Sequence, residues 1–122
     1  MAVYALGDLV PRIHPDAFVH PDATVIGDVT IGAGSSVWPS AVVRGDDGSI
    51  TIGDGTSIQD GVVVHTWIEN PTTIGSGVVV GHLAHIEGAN IADNTLIGSC
   101  SILLRRVQIG EWAMVGAGAL VP

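Results

Sequence analysis

The chain has 122 residues and a mass of 12.4 kDa, which is enough for one domain and too little for a second independent core. Hydrophobic residues make up 47% and charged residues 13%, which excludes a disordered chain, and 17 glycines argue against an all-α protein. Twelve acids against four arginines give a formal net charge of −8, so neither nucleic acid nor an anionic membrane surface is expected as a partner.

The N-terminal residues and the cysteine content indicate in which cellular compartment the protein is expected. The N-terminus MAVYALGDLVPRIHP has no basic start followed by an apolar run of signal-peptide length. The lone Cys100 cannot form an intrachain disulfide, which fits a reducing compartment. No apolar run is long enough for a transmembrane helix. We therefore expect a cytoplasmic protein.

Aliphatic residues recur every six positions along nearly the whole chain. A six-residue period fits neither a 3.6-residue helix nor an α-solenoid, but it fits a flat strand followed by a tight corner. Three such units close one triangular coil, so eighteen positions predict an all-β, single-domain parallel β-helix, a triangular prism of about six coils. The eighteen positions are Ile13, Val19, Val25, Ile31, Val37, Val43, Ile52, Ile58, Val64, Ile74, Val80, Ile86, Ile91, Ile97, Leu103, Ile109, Val115 and Val121.

The repeat also predicts where the chain departs from the prism. Residues 1–12 precede the first repeat and are predicted to cap it, residues 13–122 form the β-helix, and no C-terminal cap is expected within this chain. Steps of nine and ten residues interrupt the period and predict two loops that project from corners. These are residues 45–49 (GDDGS) and 66–73 (TWIENPTT), and loops on a rigid scaffold are plausible places for function.

The residue after each repeat aliphatic should point outward, and it is usually Gly or Ala. Counting faces by threes places Arg44, His65 and Glu87 in one vertical column on one face. His65 and Glu87 should then lie about one strand spacing apart, close enough for both to reach one divalent metal. His82 falls on a different face, so it is expected to join the column only from a neighbouring subunit of a symmetric trimer.

Five segments carry a resemblance to a known family: VWPSAVVRGD (37–46), IGDGTSIQDG (52–61), VVVH (62–65), VGH (80–82) and VGAGALVP (115–122). Over about residues 10–122 the chain resembles the γ-class carbonic anhydrases of the hexapeptide-repeat proteins. The resemblance implies a left-handed β-helix, a homotrimer, and a divalent metal held between two subunits by three histidines. Zinc is the expected metal, with Fe²⁺ or Co²⁺ as alternatives.

Carried over by position, the resemblance implies roles for individual residues. His65 and His82 match two of the ligands. Gln59 would orient the attacking water, while Arg44 pairs with an acid across the trimer interface and, with Asp60, fixes that interface. Asp46 matches a polar residue of the family's site.

The third ligand is where the chain departs from the family, because Glu87 stands at the position expected for His. Two readings keep a metal here, with either Glu87 or His85 as the third ligand, and in a third reading no metal binds. A glutamate ligand would lower the net charge at the metal and slow CO₂ hydration.

Three functions follow from these observations. The first is metal-dependent hydration of CO₂ to bicarbonate, with CO₂ and bicarbonate as the small-molecule ligands. The second is an acyl-CoA-dependent acyltransferase, which the absence of lysine and the four arginines disfavour because CoA carries phosphates. The third is a non-catalytic metal-binding or structural trimer. The tryptophans, including Trp67, are interpreted as packing or interface residues, and Arg105 and Arg106 as a solvated corner.

Overall fold

The computed structural model describes residues 3–122 as a left-handed parallel β-helix built from short strands. The strands are β1 (Val3–Tyr4), β2 (Arg12–Ile13), β3 (Phe18–Val19), β4 (Thr24–Ile31), β5 (Ser36–Val37), β6 (Val42–Ile52), β7 (Ser57–Ile58), β8 (Val63–His65), β9 (Thr72–Ile74), β10 (Val79–Val80), β11 (His85–Glu87), β12 (Asn90–Ile91), β13 (Leu96–Ile97), β14 (Ile102–Leu103), β15 (Gln108–Ile109), β16 (Met114–Val115) and β17 (Leu120–Val121). Across residues 3–122 there is no helix long and apolar enough to cross a membrane.

These strands form three faces. Face I is a six-stranded parallel sheet of β3, β5, β7, β10, β13 and β16. Face II comprises β1, β8, β11, β14, β17 and the first halves of β4 and β6, whereas face III comprises β2, β9, β12, β15 and the second halves of β4 and β6. Faces II and III belong to one eleven-stranded sheet because β4 and β6 continue around the corner between them.

The predicted stacking is confirmed. On face II, Val43 pairs in register with Val64, and Val64 pairs with Ile86. Each face carries six of the repeat aliphatics, and β1 adds one further rung above β4, so about seven turns stack. The assignment of residues 1–12 as a cap remains a prediction.

The core contains only small and aliphatic apolar side chains. Fourteen of the eighteen repeat aliphatics are buried, and the four half-buried ones lie at the two ends of the prism: Ile13, Val19, Ile109 and Val121. Buried hydroxyls line the corners and bond to backbone carbonyls, as when Ser35 Oγ donates to Gly53 O at 2.6 Å and Thr56 Oγ1 donates to Gly75 O at 2.7 Å. The narrow interior therefore excludes rings and satisfies its few polar side chains locally.

The two interruptions of the repeat differ from each other. Residues 45–49 lie within the bounds of β6, but the pairing with β4 is irregular there: Gly45 pairs with Gly27 and Ile50 pairs with Val29, so residues 46–49 stand opposite Asp28 alone. The chain does depart from the repeat at the predicted place, as a bulge within β6 rather than as a loop between two separate strands. Its backbone runs close to β4: a Cβ on Gly45 would lie 2.5 Å from the Asp28 carbonyl oxygen, so only glycine fits there. The segment 66–73 does leave the strand path, in a tight turn where Trp67 and Asn70 pair with each other, and β9 has already begun at Thr72.

Candidate functional site

The predicted column lies on face II at its edge with face III. Val43, Val64 and Ile86 point inward and are buried, so the next residue of each strand, Arg44, His65 or Glu87, points outward. Glu87 is the register partner of His65 in the β8–β11 pair. Their side chains are only 22% and 19% exposed, respectively. The backbone register alone therefore brings a carboxylate and an imidazole together in a partly desolvated position.

Continuous polar contacts join this column. Arg44 forms an ion pair with Asp46, and Asp46 Oδ1 lies 2.7 Å from His65 Nε2. On the other side of the imidazole, His65 Nδ1 lies 3.5 Å from Glu87 Oε1. His85 Nε2 also approaches Glu87 Oε1, at 3.4 Å. We call these five residues the face II column.

The turn that follows β8 supplies one more partner for the column. Trp67 Nε1 donates a hydrogen bond to Glu87 Oε2 at 2.6 Å, and the Arg105 guanidinium lies 4.4 Å from the centre of the Trp67 ring. Sequence reasoning missed both contacts by assigning Trp67 to packing or an interface and Arg105 to a solvated corner. The sequence could have indicated the Trp67 contact, because the partly buried Glu87 needs a hydrogen-bond donor. Trp67 comes two residues after His65, which was expected to lie beside Glu87.

Both carboxylates of the column have lowered pKa values. Partial burial acts to raise the pKa of Asp46, but the hydrogen bond with His65 and the charge of Arg44 outweigh it. Burial likewise acts to raise the pKa of Glu87, and it is outweighed by the hydrogen bonds with Trp67 and His65 and by the nearby imidazoles. Both groups are therefore anionic at neutral pH.

The remaining predicted residues lie at the other edge of face II. Gln59 follows the buried Ile58 of β7 on face I, and Asp60 comes next at the corner. His82 Nδ1 lies 3.3 Å from Asp60 Oδ1, and their side chains are 57% and 55% exposed. Both residues line an open pocket of about 510 Å³ with Leu83.

Within one chain, His82 does not join the column. Nowhere between residues 3 and 122 do three His, Cys, Asp or Glu side chains cluster closely enough to hold a metal ion. The geometry therefore offers two separate half-sites: the face II column with His65, His85 and Glu87, and the corner with Asp60 and His82.

Comparison with known proteins identifies the family. Residues 11–45 match the model of the bacterial transferase hexapeptide family, which is defined by six repeats. A hexapeptide transferase family protein from Anaplasma phagocytophilum superposes with a TM-score of 0.95 and 36% identity, over 99% of this chain and 71% of that one. The chain belongs to the hexapeptide-repeat family.

Two further relatives have names that indicate different activities. A candidate acetyltransferase of Bacillus cereus superposes with a TM-score of 0.97 and 37% identity, over 98% of this chain and 70% of that one. The mitochondrial γ carbonic anhydrase 2 of Arabidopsis thaliana is 46% identical over 120 residues, which is 93% of this chain and 43% of that protein. The chain thus spans less than half the length of this carbonic anhydrase and is similar to it over nearly all of its own.

Proposed function

We propose that this protein is a γ-carbonic-anhydrase-like enzyme that hydrates CO₂ to bicarbonate with a divalent metal held between two copies of the chain in a homotrimer. The observation that carries the proposal is the face II column, in which His65 and Glu87 lie side by side at the predicted ligand positions. The 46% identity to a γ carbonic anhydrase supports the same assignment.

The distribution of exposed apolar residues supports self-association through two of the three faces. Face I exposes Val79, Leu96 and Met114, and face II exposes Val63, Ile102 and Leu120. The outward side chains of face III are polar and bond to one another, including Arg12 to Thr30, Thr73 to Asn90, and Asn90 to Gln108. An arrangement that covers faces I and II and leaves face III in water is what a closed trimer would provide.

The available donors fit a shared metal better than one held by a single chain. His65 and Glu87 would supply two ligands, with His85 as the alternative to Glu87, and His82 of a neighbouring copy would supply another. Two imidazoles and one carboxylate are a known ligand set for catalytic zinc. A divalent metal bound there would lower the pKa of its bound water toward neutrality, which would supply hydroxide for attack on CO₂. Zinc remains the expected metal, with Fe²⁺ or Co²⁺ as alternatives.

Other residues would serve this chemistry from fixed positions. Asp46 holds one imidazole nitrogen of His65 and is itself paired with Arg44, so the orientation of the ring is set from outside the metal site. We assign Gln59 to orienting the attacking water, and Arg44 and Asp60 to the contact between copies. A cytoplasmic location remains a prediction.

Acyl transfer is the second candidate, favoured by the similarity to the candidate acetyltransferase of Bacillus cereus. Charge argues against it. Three of the four arginines are engaged, Arg12 with Asp28, Arg44 with Asp46 and Arg105 with Trp67. Little cationic surface is left for the phosphates of CoA. A trimer without catalytic activity is the remaining alternative.

The decisive experiment measures bound metal and CO₂ hydration for the wild type and for Glu87→His. We expect stoichiometric metal, weak activity of the wild type, and at least a tenfold gain for Glu87→His, because three neutral imidazoles leave more positive charge on the metal. Glu69→His is the matched control, since it makes the same exchange in the neighbouring turn, outside the column. If wild type, Glu87→His and Glu69→His all bind no metal and show no CO₂ hydration, the proposal is refuted. Measurable affinity for acetyl-CoA would favour acyl transfer.

A further inference from the structure

The two carboxylate oxygens of Glu87 have different partners. Oε2 accepts the hydrogen bond from Trp67 Nε1 at 2.6 Å. Oε1 faces the two histidines, at 3.5 Å from His65 Nδ1 and 3.4 Å from His85 Nε2. Only Oε1 therefore faces the candidate ligands, because Oε2 already accepts a hydrogen bond from Trp67.

We propose that Trp67 is a positioning residue that holds Oε2 of Glu87 and thereby makes this glutamate a one-oxygen ligand. The inference rests on the proposed function, because it concerns how Glu87 meets the metal. An indole N–H is a donor only, so it cannot compete for the metal itself. Its hydrogen bond to an ionised carboxylate is of the stronger, charge-assisted kind.

The fold holds Trp67 in a fixed place, which a positioning role requires. Its backbone pairs with Asn70 in both directions, closing the tight turn. Next to it in the sequence, the Thr66 hydroxyl donates to the Ser49 carbonyl at 2.8 Å. The Arg105 guanidinium covers the ring at 4.4 Å from its centre. The turn therefore fixes the backbone of Trp67 and Arg105 covers its ring, so the indole N–H meets Glu87 from a restrained side chain.

The consequence concerns the number of ligands around the metal. A catalytic zinc site keeps three protein ligands and one open position for water or substrate. A glutamate that bound through both oxygens would occupy that open position. Without a donor on Oε2, the terminal torsion of a glutamate is broad, and both oxygens could turn to the metal. Trp67 thus keeps the open position free at a site where glutamate replaces the family's histidine.

The first test uses the metal-free protein and needs no activity. In protein labelled with ¹⁵N-tryptophan, Trp38, Trp67 and Trp112 give three indole N–H signals, which Trp→Phe variants assign. We expect the Trp67 signal to lie downfield of the other two, and Glu87→Ala to move it upfield. Glu69→Ala, in the same turn, should leave it in place. A Trp67 signal that ignores Glu87→Ala would overturn the proposal.

The second test adds Zn²⁺ alone, or Co²⁺ alone, to the same protein. With Zn²⁺ the Trp67 signal should keep its downfield position, since only Oε1 is used. With Co²⁺, the wild type should show the intense visible absorption of a four-coordinate ion, and Trp67→Phe should lower it several-fold as the second oxygen binds. Trp112→Phe is the control and should match the wild type.

Three outcomes of these tests need separate treatment. If Trp67→Phe does not fold, Arg105→Gln replaces it and should weaken the downfield shift, whereas Arg106→Gln, which removes the neighbouring charge, should not. An identical Co²⁺ spectrum for wild type and Trp67→Phe would overturn the positioning role. If no metal binds to any form, the one-oxygen role fails together with the proposed function, while a Trp67 signal that responds to Glu87→Ala would still establish the hydrogen bond.

Discussion

Asp46 shows how one side chain can organise two others. Its carboxylate forms an ion pair with Arg44 and lies 2.7 Å from His65 Nε2, which leaves the opposite ring nitrogen directed at Glu87. An imidazole restrained in this way has one nitrogen committed to a neighbour and one available. Asp46 should therefore contribute to stability as well as to the orientation of His65.

The contribution of Asp46 should depend on pH. Its pKa is lowered in the folded protein, so the stabilisation is complete above the unfolded value of about 3.9 and disappears as pH falls through the lower folded value. We expect Asp46→Asn to cost about 1 kcal/mol at pH 7 and close to nothing below both pKa values. Urea unfolding of metal-free protein at pH 7 and in strong acid measures this difference.

Asp47→Asn is the control, because among the hydrogen bonds and ion pairs of residues 3–122 none involves the Asp47 side chain. It should leave the free energy of unfolding unchanged at both pH values. An equal loss for Asp46→Asn in acid and at pH 7 would contradict the assignment of the stabilisation to the ionised carboxylate.

At the scale of elements, β6 and the turn after β8 stack on the same corner of the prism. The bulged segment of β6 contains Gly48 at a φ of 115°, a conformation essentially restricted to glycine. A Cβ on Gly48 would lie 2.6 Å from the Trp67 carbonyl oxygen. The path of β6 and the position of the tryptophan therefore depend on each other.

Gly48→Ala should consequently destabilise the protein and also displace the backbone of Trp67. We expect a loss of about 3 kcal/mol, combining backbone strain with the displacement of the turn. Gly55→Ala is the matched control, since Gly55 has a φ of 62° but open space around its Cβ position, and it should cost about 1 kcal/mol. Urea midpoints measure both changes, and equal losses would show that the contact with Trp67 is unimportant.

For the whole molecule, the three faces have different surfaces. Faces I and II expose columns of aliphatic side chains, whereas face III exposes a ladder of hydrogen-bonded polar ones. Since the two candidate half-sites lie at opposite edges of face II, one chain cannot unite them. Assembly through the apolar faces is thus tied to completion of the proposed site.

A charge placed on an apolar face should break the assembly. We expect Leu96→Glu, at a residue of face I that is 42% exposed, to convert a particle near three times 12.4 kDa into single chains, because an unpaired carboxylate is costly to bury. Thr51→Glu adds the same charge on face III and should leave the trimer intact. Sedimentation measures both, and a wild type that sediments as a monomer would refute the two-copy site.

Most of the fold was predictable from the sequence because its information is local. The six-residue period predicted which side chains point inward, and the count by threes predicted the register of Val43, Val64 and Ile86. Alternation along each strand then predicted that Arg44, His65 and Glu87 share a face. The period could not predict the path of residues 45–49, because an interruption of a repeat gives the number of extra residues and not their conformation.

The sequence alone determined the β-helix and which residues form the column, through regular spacing of aliphatic residues and a shortage of aromatic ones. The tertiary structure decided what those residues touch. That Trp67 takes one oxygen of Glu87, that Arg105 covers its ring, and that Asp46 reaches His65 are contacts between coils. They depend on how corners of different length stack on one another. Such contacts join residues about twenty or more positions apart, and no period in the sequence encodes the side-chain torsions that make them.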